Sequence, residues 1–204
     1  MTVTGLTSLR SANVEAALSV TGGSIFDSLE TSGGVTVGSD VIVGGNIFST
    51  DVSVGGYLTV NKDISVAGND CAEDFEVVVA AADLGPGTVM VLAENGALQP
   101  SQEAYDKKVA GVISGAGDDM PGLILGRGHY SENRMPLALV GRVYCKADAQ
   151  YGPIEVGDLL TTSPTTGHAM RAADPLKAFG AVIGKAVQSL RSGQGLVRIL
   201  VALQ

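Results

Sequence analysis

Residues 35–66 read VTVGSDVIVGGNIFSTDVSVGGYLTVNKDISV. Apolar residues come in pairs one residue apart: Val35 and Val37, Val41 and Val43, Val52 and Val54, Leu58 and Val60, Ile64 and Val66. Ile47 continues the series with one apolar member. The steps between first members are 6, 6, 5, 6 and 6 residues. Strict alternation is the period of a β-strand, where successive side chains point to opposite faces. Gly38-Ser39, Gly44-Gly45, Gly55-Gly56 and Gly68-Asn69 follow most of the pairs. Glycine supplies the backbone freedom a tight corner needs. Leu18 and Val20 with Gly22-Gly23 form an earlier copy. Very short strands joined by corners predict a wound β-stalk.

The size of this stretch decides how it is wound. A single-chain β-helix uses about three such strands per coil and several coils to bury a core. Residues 35–66 supply fewer than two coils. Three chains wound together would bury one apolar stripe from each around a shared axis and remove open strand edges. The expectation is a homotrimeric, β-helix-like stalk with Val35, Val37, Val41, Val43, Val52, Val54, Leu58, Val60, Ile64 and Val66 at the trimer interface. A flat hairpin meander is the plainer alternative.

Composition agrees with a β-rich protein and excludes other classes. The chain has 204 residues, 28 of them glycine, and 45% are hydrophobic. That is too apolar for a disordered chain, and no Gly-X-Y period marks a collagen. The net charge is −8, and this acidic, aromatic-poor chain carries no nucleic-acid footprint. The N-terminus lacks the pattern of a Sec signal peptide, and no apolar run reaches the ~18 residues of a membrane span. A virion or an extracellular appendage is the expected location.

The chain changes character at Gly68-Asn69-Asp70. Residues 1–69 form the stalk and an N-terminal attachment segment, and residues 70–204 form a head. Within the head two stretches match. Gly87 aligns with Gly157, Val89-Met90 with Leu159-Leu160, Asn95-Gly96-Ala97 with Thr166-Gly167-His168, Gly111–Ser114 with Ala181–Gly184, and Gly122–Leu125 with Gly195–Leu200. The expected fold class is therefore all-β, a short-repeat β-stalk followed by an internally duplicated β-barrel or β-clip-like domain. The repeat units run from about 84 to 126 and from about 154 to 200, each with a polar or helical linker near Ala104–Lys108 or Asp174–Ala178.

A search for chemistry yields little. His129 and His168 are the two histidines, and neither sits at metal-ligand spacing. Cys145 lies in an apolar run and reads as a small core residue. Cys71 has acidic neighbours, the wrong setting for a nucleophilic thiolate; a bridge between the two is left open. Ser163 lacks a nucleophile elbow. Gly85-Pro-Gly87 and Gly126-Arg-Gly128 lack the Lys-Ser or Lys-Thr of a phosphate loop. Asp70, Glu73 and Asp74 read as a solvated junction between modules. Asn46, Asp51 and Asp63 read as exposed turn residues, with an axial cation site as the sharper alternative. No catalytic residue, cofactor or metal site is expected.

The head motifs Asp70-Cys-Ala-Glu-Asp-Phe, Lys108-Val-Ala-Gly-Val-Ile-Ser and Gly152–Met170 resemble the C-terminal regions of bacterial and phage tail-fibre-like appendage proteins. Some members of that group resemble the autoproteolytic intramolecular chaperones. The resemblance covers about residues 70–204 and implies a homotrimer within a phage-like or cell-surface assembly. No catalytic dyad can be carried over residue by residue.

Three readings follow. The leading one is a structural, non-enzymatic homotrimer, a fibre or spike whose stalk trimerises and whose head caps or attaches the assembly. The second is an adhesion module that binds a glycan or protein through polar loops carrying Asp118, Asp119, Tyr130 and Arg134. The third is a self-cleaving chaperone domain. None involves nucleic acid or membrane insertion.

Overall fold

The computed structural model describes residues 34–127 and 133–202. The earlier repeat copy at Leu18–Gly23 lies outside them. The chain divides after Leu58, into Met1–Leu58 and Thr59–Gln204. Residues 59–69 thus belong with the head, upstream of the Gly68–Asp70 boundary expected from sequence.

Through residues 34–69 the backbone carries bends and no strand or helix. The bends fall at Gly38-Ser39, Gly44-Gly45, Thr50, Gly55-Gly56, Asn61-Lys62 and Ala67–Asn69. Their spacing repeats that of the apolar pairs, so each pair lies between two bends.

The head is nearly all β. Its strands are β1 (Asp70–Glu76), β2 (Val89–Leu92), β3 (Leu98–Pro100), β4 (Val109–Ile113), β5 (Pro121–Leu125), β6 (Arg134–Asp148), β7 (Leu159–Thr162), β8 (Ala169–Arg171), β9 (Val182–Ala186) and β10 (Gln194–Val201). The linker at Asp174 carries one short helix, α1 (Pro175–Ala178), whose first turn is capped by the Asp174 carboxylate accepting from the N–H groups of Leu176 and Lys177. The linker around Ala104 forms turns.

One barrel closes through five strands in the order β6–β8–β7–β9–β10, with β10 returning to β6. A second circuit uses the first half of β6, then β4, β2 and β3, with β1 on the other side of β6. The bridge from Val77, just past β1, to Leu98 completes that circuit. Val77 opposite Leu98 corresponds to Ala147 opposite Ala169 in the five-stranded barrel. Both circuits carry a bulge at the same place, after Met90 and after Leu160. Each has its own apolar interior. Val77, Met90, Leu98, Ile113 and Leu137 fill the first. Ala147, Leu160, Ala169, Val197 and Ile199 belong to the second.

These pairings set a register different from the alignment read from sequence. Gly111 lies opposite Met90 and Gly184 opposite Leu160, so Gly111 corresponds to Gly184 rather than to Ala181. The counterpart of β10 is the first half of β6, since β10 pairs with β9 and β6 as the first half of β6 pairs with β4 and β1. Gly122–Leu125 instead forms β5, which pairs only with β1 and has no counterpart. The repeating unit therefore runs from β1 into β6 and again from β6 to β10, wider than 84–126 and 154–200.

Glycine is required where the strands approach most closely. A Cβ on Gly184 would stand 2.3 Å from the Leu200 carbonyl oxygen, and one on Gly111 would stand 2.9 Å from the Ala138 carbonyl oxygen. Both obstacles are backbone of the last strand, which cannot swing aside. Gly184→Ala is expected to destabilise the head by about 1–3 kcal/mol, the usual cost of overpacking a core. A urea midpoint equal to that of the parent would contradict this packing.

Candidate functional site

The apolar pairs lie between the bends, and every residue from 34 to 67 is exposed in the single chain. The two members of a pair differ in a regular way. Val52 is 74% exposed and Val54 48%, and the same order holds at Val35 and Val37, Val41 and Val43, Leu58 and Val60, and Ile64 and Val66. Ile42, Phe48 and Tyr57 are almost wholly exposed. Isolated exposed apolar residues are normal; here ten of them recur at regular spacing. Polar residues serve the bends: Asp63 accepts from the Ile64 N–H at 2.8 Å, and the Ser49 hydroxyl donates to the Asp51 carbonyl at 2.6 Å.

The segment leading into β1 is fastened to the barrel at Asn69. Its N–H donates to the Met120 carbonyl, and its own carbonyl accepts from the Arg142 N–H. Its side-chain amide donates to Asp119 at 2.6 Å. Asp119 also accepts two hydrogen bonds from Arg198 of β10, one from Nε at 3.0 Å and one from Nη2. The Arg198 guanidinium stacks 5.1 Å from the Tyr144 ring centre. Bidentate carboxylate pairing of this kind fixes direction as well as distance. Gly141 makes room for the fastening: at φ +115°, a Cβ there would lie 2.5 Å from the Asn69 carbonyl oxygen.

This arrangement corrects the loop reading. Asp119 is buried and committed to Asn69 and Arg198, so it is a structural clamp and not a free recognition residue. Asp118 is exposed. Arg134 is half-buried, and its Nη2 donates to the Asp74 carbonyl. Tyr130 and His129 lie outside the described residues. The Asp119–Arg198 pair spans 79 residues, and no local sequence signal announces it.

Asp70 is buried beside this clamp at 6% exposure, and neither carboxylate oxygen has a hydrogen-bond partner. The solvated junction expected at Asp70 is therefore not what forms. Burial is the main force pushing its carboxyl above the ordinary 3.8; the nearby Ser114 hydroxyl draws it back, and the like charge of Asp119 pushes it further up. The Ser114 hydroxyl itself is buried without a partner.

Asp148 is the contrasting case. Its carboxylate accepts from the Gln150 N–H at 2.9 Å, and from Gln150 Nε2, Thr165 Oγ1 and Gln194 Nε2 at 2.7, 2.7 and 3.0 Å. Burial alone would raise its pKa, but these hydrogen bonds together hold it below the ordinary carboxylate range. It ties the turn at Thr165 to β10. Cys145 is buried in the core, and burial pushes its thiol up to about 12. Cys71 and Cys145 are both free thiols. His168 sets Nδ1 2.7 Å from the Thr166 carbonyl oxygen in its own turn. A shallow groove of about 560 Å³ runs past Pro86, Ala116, Lys146, Gln194 and Leu196; Lys146 in it donates to Thr88 at 2.8 Å. Among the described residues no group of three or more His, Cys, Asp or Glu is placed to hold a metal. No helix among them is long and apolar enough to cross a membrane.

No family model matches the chain, and no curated protein does. Among solved structures, the chain is similar to the N base of head fibre gp8.5 of bacteriophage phi29, with 17% identity and a TM-score of 0.28 over 68% of this chain and 93% of that one.

Asp70→Asn tests the burial of an unpaired charge. A raised folded pKa means the folded state binds the proton more tightly. Ionised Asp70 therefore weakens the fold as pH rises above 3.8 towards the folded value, and costs nothing below 3.8. Asp70→Asn is expected to melt above the parent at pH 7, with the gap closing on acidification. A variant less stable than the parent at pH 7 would contradict this reading.

Proposed function

We propose that the protein is a structural, non-enzymatic component of a phage-like appendage, a homotrimer whose stalk assembles through the apolar stripe and whose barrel head caps or attaches it. One observation carries the reading: ten paired apolar residues from Val35 to Val66, in segments bounded by evenly spaced bends, are left in water by a single chain. Three straight segments make the smallest closed cross-section, so three chains can each supply one side at every level. Full burial of a Val, Leu or Ile side chain is worth roughly 1.5–3 kcal/mol. Several such positions per chain offset the backbone ordering of a short stalk. A virion or an extracellular appendage is the setting that suits such a part.

Val54→Asp and Ser53→Asp separate this from a merely sticky surface. Ser53 lies between Val52 and Val54 and so points to the opposite face. The parent and Ser53→Asp are expected to show three times the chain mass by light scattering and slow amide exchange through residues 35–66, and Val54→Asp is expected to lose that slow exchange with its head still folded. A monomeric parent, or a Val54→Asp variant whose residues 35–66 exchange as slowly as the parent's, overturns the proposal.

A further inference from the structure

The two circuits of the head correspond residue for residue, but their outer rows do not share one fate. In the first, Val89, Val112, Ala138 and Ala72 lie side by side across β2, β4, β6 and β1. All four are fully buried. Val89, Val112 and Ala138 pack in one cluster with Leu160, Ile183, Ile199 and Val201 of the five-stranded barrel. The turn at Gly167 closes over this row. The Val89 N–H donates to the Gly167 carbonyl at 2.9 Å, and the Gly167 N–H donates to the Ser101 carbonyl at 2.8 Å. Contact is tight enough that a Cβ on Gly167 would stand 2.7 Å from Thr88 Cγ2.

In the second circuit the same row is Leu159, Lys185, Leu200 and Arg142. Leu159 is 41% and Leu200 45% exposed, and Lys185 and Arg142 are exposed. The counterpart of the Gly167 turn is the turn Glu94–Gly96. All three of its residues are exposed, and a Cβ on Gly96 would meet nothing within 4 Å. The Ala172 N–H donates to the Leu159 carbonyl as the Ser101 N–H donates to that of Val89, so the backbone frame that receives Gly167 in the first circuit recurs in the second.

The halves are thus joined head to tail and not about a twofold axis. The first half's row has met the second half's turn, while the second half's row and the first half's turn are both free. Such heterologous contacts, repeated between copies, give a closed ring when the rotation closes and an open filament when it does not; a trimeric stalk selects the closed ring. We infer that the Glu94–Gly96 turn of one chain docks on the Leu159–Lys185–Leu200–Arg142 row of the next, closing three heads into one ring of six half-barrels. Charge agrees, since the Glu94 carboxylate would enter between Lys185 and Arg142. The choice of a second copy as occupant rests on the trimer proposed above.

The test uses the full chain carrying Cys71→Ser. Asn95→Cys and Leu159→Cys are introduced together and treated with a short bis-maleimide. Covalent species at two and three times the chain mass are expected, with neither from the single-cysteine controls. Adding Leu200→Glu should abolish them while the head keeps the far-UV circular dichroism of the parent, because Leu200 is 45% exposed in the single chain. A chain that is trimeric by native mass but gives only controls-level cross-linking overturns the head ring and leaves the stalk reading standing. A chain that is monomeric by native mass and does not cross-link overturns both.

Discussion

The head depends on β6. This strand of fifteen residues, Arg134–Asp148, pairs with β1 and β4 along its first half and with β8 and β10 along its second. It closes both circuits, and without it neither could bury its interior. The handover falls at Gly141, which pairs with Asp70 on one side and Val201 on the other. A side chain there would collide with the backbone of Asn69 and Asp70. One glycine thus sets both the continuity of the barrel strand and the entry of the preceding segment.

Polar groups do the fastening around that crossing. Asp119, itself buried, gathers Asn69, at the entry to β1, and the half-exposed Arg198, on β10, into one cluster. Such an ion pair contributes more to geometry than to net stability, because desolvation offsets much of its attraction. Asp70 next to it remains unpartnered.

Much of the architecture was legible in the sequence because it is carried by period. Glycine pairs marked bends that fall at the spacing of the apolar pairs from Val35 to Val66. The duplicated turns at Gly87 and Gly157 and at Gly96 and Gly167 showed one unit used twice. The register of the second halves was not legible. Gly122–Leu125 has the same glycine-then-apolar pattern as Gly195–Leu200, but it forms β5, an insertion. Gly111 and Gly184 correspond only once the shared bulge is known, and a bulge shifts register without altering composition. Asp119 read as part of a polar binding loop because its partner Arg198 is distant in the chain. The unequal fate of the two outer rows is equally invisible, since Val89 and Leu159 are both ordinary strand residues.

Amide hydrogen exchange on the full chain, across a range of protein concentrations, addresses the central claim that the stripe is an interchain core. The account predicts slow exchange through residues 35–66 at high concentration, lost on dilution, while the amides of β6 and β10 stay protected throughout. Exchange through residues 35–66 that is fast at every concentration, with β6 and β10 fully protected, would contradict it.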